Sequence, residues 1–178
     1  LGTEGTPTIG GVVAANASGP RRVQAGACRD FMLGVRFVDG RGTVLKNGGR
    51  VMKNVTGYDL VKLLTGSWGT LGVITEVSLK VLPKPEAAAT VILEGLDITA
   101  AVGAMSRALG SPFEITGAAH LPEGAGGTSG TYLRIEGFEG SVAYRVDRLE
   151  QMFPDVPIRT ETEAAQVAAR WAALRDVQ

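Results

Sequence analysis

Three glycine-bearing stretches and a single histidine hold most of the chemistry this chain could do. The first stretch is Thr8-Ile9-Gly10-Gly11, followed by small residues and then Asn16-Ala17-Ser18-Gly19-Pro20. Glycines at a helix start let an anion reach the backbone amides, because no Cβ intervenes and the first N–H groups lack intrahelical partners. Asn16, Ser18, Arg21 and Arg22 follow as polar contacts. The second stretch is GSWGTLGVITE, residues 66–76. Its glycines follow a predicted helix and precede a predicted strand, the reverse of the dinucleotide fingerprint order. That leaves the strand backbone at Val73 to Thr75 free to read an adenine edge. The third, KNGGRVMKNVTGYDL at 46–60, is basic and glycine-containing. Each of the three, taken alone, also reads as a turn. His120 ends a predicted strand before a glycine-rich loop; it reads either as a half-exposed strand end or as a catalytic base near neutral pH. Arg134, on a strand surface, reads as a solvated side chain or as an anchor for a substrate carboxylate.

Composition narrows the partners. Lys+Arg and Asp+Glu both number 18, giving a formal net charge of zero. A general nucleic-acid or anionic-membrane binder carries a basic excess, so neither is expected. One cysteine, Cys28, and one histidine exclude a disulfide framework and make a zinc site unexpected. No run approaches the ~20 apolar residues of a membrane span. The chain starts at Leu1 inside a glycine-rich segment, as an internal fragment would.

The elements that must position these residues follow from periodicity. Gly11 to Ala17 predicts a short helix, and 34–38 with 43–46 predict a hairpin across Asp39-Gly40-Arg41-Gly42. Residues 56–64 predict a helix with Thr56 and Asp59 at capping-box spacing. Residues 72–82 predict a strand with Val73, Thr75, Val77, Leu79 and Val81 on the inner face. The prolines of PKPEAA, 83–88, suggest a boundary, giving domains 1–85 and 86–178. Beyond it, strands at 90–96, 113–120, 131–138 and 157–162 alternate with helices at 99–109 and 141–153. The first helix is expected to pack through Val102, Met105 and Leu109, and the second to be capped by Ser141. The order β-α-β-β-α-β is the split βαβ pattern, an antiparallel sheet with two helices on one face. A last helix is expected over 163–175.

TIGGVVAANASGPRR, VMKNVTGYDL and GTLGVITEVSLKVLP together resemble the vanillyl-alcohol oxidase (p-cresol methylhydroxylase, PCMH) type of FAD-binding domain. Within that family they are most similar to the glycolate oxidase and D-lactate dehydrogenase branch. The resemblance covers residues 1 to about 84. It implies an α+β fold: the second half of a PCMH-type FAD-binding domain followed by a ferredoxin-like (βαββαβ) cap domain. It further implies non-covalent FAD, with Thr8, Ile9, Gly10 and Gly11 along the flavin and pyrophosphate, Asn16, Ser18 and Gly19 in the turn beside them, and Gly69, Gly72, Val73, Ile74 and Thr75 at the adenine half. The implied activity is oxidation of a 2-hydroxy acid such as glycolate or D-lactate, in a complex with a second flavoprotein subunit and an iron–sulfur subunit. A cytoplasmic location is implied, with attachment to the inner membrane through those subunits. A non-catalytic, FAD-binding or electron-relay role in the complex is the alternative. The family's first FAD subdomain would precede Leu1, so this chain alone is expected to bind FAD weakly and to leave apolar surface uncovered near residues 1–20.

Overall fold

The computed structural model describes residues 6–53, 56–125 and 127–176. The chain divides into two compact units, residues 1–19 with 26–83, and residues 20–25 with 84–178.

The first unit begins with helix α1 (Ile9–Ala14), whose N-cap Thr8 accepts a hydrogen bond from the Gly11 amide. It is only six residues long, shorter than expected, and Asn16 follows in the left-handed region with φ 49°. A short helix α3 (Cys28–Phe31) leads into strand β1 (Met32–Val38). Strand β1 pairs antiparallel on one side with β2 (Val44–Gly48) and on the other with β3 (Val73–Leu79). The β1–β2 turn forms as its Asp-Gly-Arg-Gly sequence predicts, with the Asp39 carboxylate accepting from the Arg41 and Thr43 amides, both at 2.9 Å. Val13, Met32, Val35, Phe37, Val61 and Leu64 make the core of this unit.

Two expectations fail here. The helix expected at 56–64 is α4 (Leu60–Leu64), and Asp59 is its N-cap rather than the third residue of a capping box. Gly57 has φ +77°, outside helical geometry, and the Asn47 side chain takes the amides of Leu60 and Val61. In β3 simple alternation holds for Val77 and Leu79, which pack inward as expected, and fails for Val73 and Thr75. The pairing skips Thr75 between Arg36↔Glu76 and Phe37↔Ile74, a β-bulge. Ile74, Val77 and Leu79 therefore pack inward, while Val73 is 68% exposed and Thr75 is exposed too.

The second unit starts with α2 (Arg22–Ala25) and resumes at β4 (Ala87–Leu93), α5 (Ile98–Leu109), β5 (Gly117–Leu121), β6 (Gly130–Gly137), α6 (Glu139–Gln151), β7 (Ile158–Glu161) and α7 (Ala164–Arg175). Sheet order is β5-β6-β4-β7, every neighbour antiparallel. That is the ferredoxin-like arrangement, so the α+β class and the βαββαβ unit both stand. Ala89, Val91, Leu93, Leu133 and Ile135 of the sheet share one core with Ala104 and Ala108 of α5 and Val142 and Leu149 of α6.

Helix α5 packs Met105 against the core as expected, but its fully buried stripe is a different one. Ala101, Ala104 and Ala108 are buried while Val102 and Leu109 are exposed. Alanines let the helix backbone approach the sheet closely, and the larger residues then fall outside. Helix α6 starts at Glu139, two residues early, with Phe138 as N-cap and no side-chain cap hydrogen bond. The opposite sheet face packs Ile92, Leu121 and Tyr132 against Val167 and Trp171 of α7.

Candidate functional site

The two glycine stretches sixty residues apart meet in the first unit. The Gly66 amide donates to the Val13 carbonyl at 3.0 Å and the Trp68 amide to the Ala14 carbonyl at 2.9 Å. These bonds reach carbonyls at the end of α1; the Val13 carbonyl also accepts from the Asn16 amide at 3.0 Å. At the other end of the helix, a Cβ on Gly10 would sit 3.5 Å from the Ile74 carbonyl oxygen. Residues 66–68 are thus tied by backbone to the end of α1, and Gly10 at its start lies against the Ile74 backbone.

The glycines in these stretches do different work. An added Cβ at Gly11 would meet only the Thr8 hydroxyl, and at Gly19 or Gly69 nothing within 4 Å. Their open side can admit a ligand against the backbone. Gly72 has an internal reason instead: its Cβ would lie 2.5 Å from the Val38 carbonyl oxygen. Asn16 and Ser18 are occupied by the turn itself. The Asn16 side-chain oxygen accepts from the Arg29 amide at 2.9 Å, and the Ser18 hydroxyl accepts from the Cys28 amide at 3.2 Å. Cys28 is half-buried, and burial pushes its thiol pKa up, so it stays a neutral thiol.

Sequence reasoning missed two residues here. Ser67 carries a buried hydroxyl oxygen with no hydrogen-bond partner. Trp68 takes φ 55° and leaves its indole 76% exposed, a conformation uncommon for a bulky residue. The glycines on either side of them marked the loop but not these side chains. An orphaned hydroxyl beside open glycine backbone suits a polar, elongated cofactor better than it suits a closed core.

In the second unit both His120 and Arg134 have side-chain partners. His120 Nδ1 lies 3.0 Å from the Thr131 hydroxyl, its partner across the β5–β6 ladder. Arg134 is buried. Its Nε donates to the Thr116 hydroxyl and its Nη2 to the Thr116 carbonyl, both at 3.0 Å, and its guanidinium lies 4.4 Å from the Trp171 ring centroid. Glu136, two residues on, ion-pairs with Arg134 at 3.2 Å and with Arg21. Burial acts to raise the Glu136 pKa, but hydrogen bonds from Arg21 and Thr116 and the charges of both arginines outweigh it. The carboxyl is held below its usual range. This cluster is internally paired and has no free hand for a substrate. Among the described residues no group of His, Cys, Asp and Glu could hold a metal ion, and no helix is long and apolar enough to cross a membrane.

Residues 1–48 match the family model described as an FAD binding domain. The chain is 43% identical over 135 residues to glycolate oxidase subunit GlcE of Escherichia coli, a match that covers 76% of this chain and 37% of that protein. It is 40% identical over 99 residues to glycolate oxidase subunit GlcD of Bacillus subtilis, covering 56% of this chain and 21% of that protein. A D-lactate dehydrogenase of Anaerostipes hadrus is 44% identical over 86 residues, 48% of this chain and 18% of that protein. The chain thus spans well under half the length of the curated relatives it matches. Among solved structures, an alkyldihydroxyacetonephosphate synthase superposes with a TM-score of 0.66 over 92% of this chain and 36% of that one, at 17% identity. At that identity the likeness concerns the fold.

Proposed function

We propose that this chain is the FAD-binding component of a glycolate-type 2-hydroxy-acid oxidase, with 1–85 as a partial FAD-binding domain and 86–178 as a cap over the substrate. The observation that carries the reading is the backbone link between Gly66–Trp68 and the end of α1, with Gly10 against Ile74, in a chain whose relatives are named glycolate oxidase subunits. Bound FAD would supply the two-electron acceptor as the hydroxy acid loses a hydride and a proton to become a 2-oxo acid. The chain's own part is to hold the cofactor. Gly11, Gly19 and Gly69 admit it against backbone, Gly10 packs on Ile74, Thr8 fixes the start of α1, and Ser67 offers a free hydroxyl. Electrons would pass to a second flavoprotein subunit and an iron–sulfur subunit, and the assembly would be cytoplasmic, held at the inner membrane through those partners.

The pairing in the second unit favours a second reading, in which the chain binds FAD without oxidising substrate. His120 is engaged through Nδ1, and Arg134, Glu136, Arg145 and Glu161 all sit in ion pairs. The experiment that separates the two is the visible spectrum of the full-length protein, purified with and without its partners. Flavin absorbance bleached by glycolate or D-lactate supports catalysis. Bound flavin that neither acid bleaches supports the second reading, and a full-length protein without flavin overturns both. The 178-residue chain alone is expected to bind FAD at least ~10³-fold more weakly than the full-length protein, because preorganised contacts are missing; tight, stoichiometric titration would refute this.

A further inference from the structure

The third glycine stretch, KNGGR, plays no part in the proposed cofactor site. It lines a separate cavity of about 330 Å³ on the outer face of the three-stranded sheet, with Gly34, Lys46, Gly49, Arg50, Glu76 and Ser78 around it. The floor is shaped by close backbone approach. A Cβ on Gly34 would lie 2.6 Å from the Gly49 carbonyl oxygen, and one on Gly48, at φ +71°, would lie 2.3 Å from the Leu33 carbonyl. The β1–β3 pairing skips Leu33 between Met32↔Leu79 and Gly34↔Ser78, a second bulge at the cavity's side. Above Gly49, by contrast, a Cβ would meet nothing within 4 Å. The sequence therefore closes the strands beneath and leaves the space above empty.

The charge around that space is unbalanced. Glu76 already faces Arg36 at 3.6 Å. Lys46 and Arg50 are exposed and make no ion pair or hydrogen bond among the described residues, and the Ser78 hydroxyl likewise has no partner there. We propose that this cavity binds the phosphate of a small phosphate-bearing molecule, held by Lys46 and Arg50 with Ser78 as a hydroxyl donor. A guanidinium and an ammonium beside a hydroxyl match phosphate oxygens in charge and in donor number. The volume lies at the lower end of small-molecule sites, which suits a compact ligand.

The test is a titration of the isotope-labelled chain with inorganic pyrophosphate at low salt, followed by amide NMR. Saturable shifts centred on Gly34, Gly49 and Ser78 are expected. The Lys46→Ala/Arg50→Ala pair should raise the apparent Kd at least tenfold, while Arg41→Ala, at the hairpin tip, should leave it unchanged. Adenosine diphosphate binding more tightly than pyrophosphate would identify the phosphate as a nucleotide's; equal binding would identify phosphate alone as the determinant. Three results overturn the proposal: no saturable shift, shifts that survive the double substitution, or shifts produced by an acidic peptide but not by pyrophosphate. The last would make the face a protein-docking surface.

Discussion

At the residue scale, Glu136 is the most constrained charge in the second unit. Its carboxylate joins Arg134 and Arg21, and Arg145 holds its backbone carbonyl at 2.8 Å. Because the folded pKa lies below the ordinary value, the stabilisation is complete above about pH 5 and is lost as pH falls through the folded pKa. Glu161, held low first by its hydrogen bond from Arg170, adds a loss of the same sign. Glu136→Gln is expected to cost about 2–4 kcal/mol at neutral pH, since it strands the buried Arg134, and to flatten the acid limb of a stability–pH profile. Urea unfolding from pH 3 to 7 checks both effects; an unchanged acid slope would show that other carboxylates set it. Gly34 makes a prediction of another kind. Gly34→Ala drives a methyl group into the Gly49 carbonyl and should destabilise by about 1–3 kcal/mol, read from the urea midpoint at constant m-value.

At the element scale, helix α7 depends on one side chain. Trp171 donates from its indole to the Thr90 hydroxyl at 3.0 Å, lies over Arg134, and fills the space that Gly117 leaves: a Cβ there would come 2.9 Å from the ring. Outside Trp171, only Val167 of α7 is fully buried. Trp171→Ala should cost about 3–5 kcal/mol and release α7, seen as fast amide exchange over 164–175 with the β4–β6 pairing still protected. Trp68, the other tryptophan, is exposed, so iodide should quench it selectively and leave the buried indole emitting. Equal quenching of the two would contradict the placement of α7. The elements also show where the sequence was legible. The Asp-Gly turn, the βαββαβ order and the meeting of helix and strand around Gly66 could be read, because local turn chemistry and periodicity decide them. The inner faces of β3 and α5 could be read only in part, at Val77, Leu79 and Met105. A bulge opposite Phe37 shifts the alternation by one residue, and the alanine stripe of α5 wins through close approach rather than through apolar bulk.

At the scale of the whole molecule, the candidate site was half legible. Glycines at 11 and 69 marked backbone that is open in the structure, and a resemblance carried by three strings named the cofactor. What the sequence hid is long-range: that Gly66 and Trp68 cap α1, that Ser67 is left without a partner, and that Arg134 is sealed by a tryptophan from the last helix. No local pattern encodes such contacts. Equally hidden was Pro20–Ala25, which belongs with residues 84–178 although it is embedded in the sequence of the first unit. Its Arg21 supplies half of the Glu136 ion pair. A protease cut between Pro83 and Ala87 should therefore nick the chain without releasing its C-terminal piece, and the two fragments should elute together until denaturant is added. The same embedding bears on ancestry and engineering alike. These units cannot be exchanged between proteins as two consecutive cassettes, because any swap at the single proline-rich joint would leave the incoming sheet looking for an arginine that stayed behind.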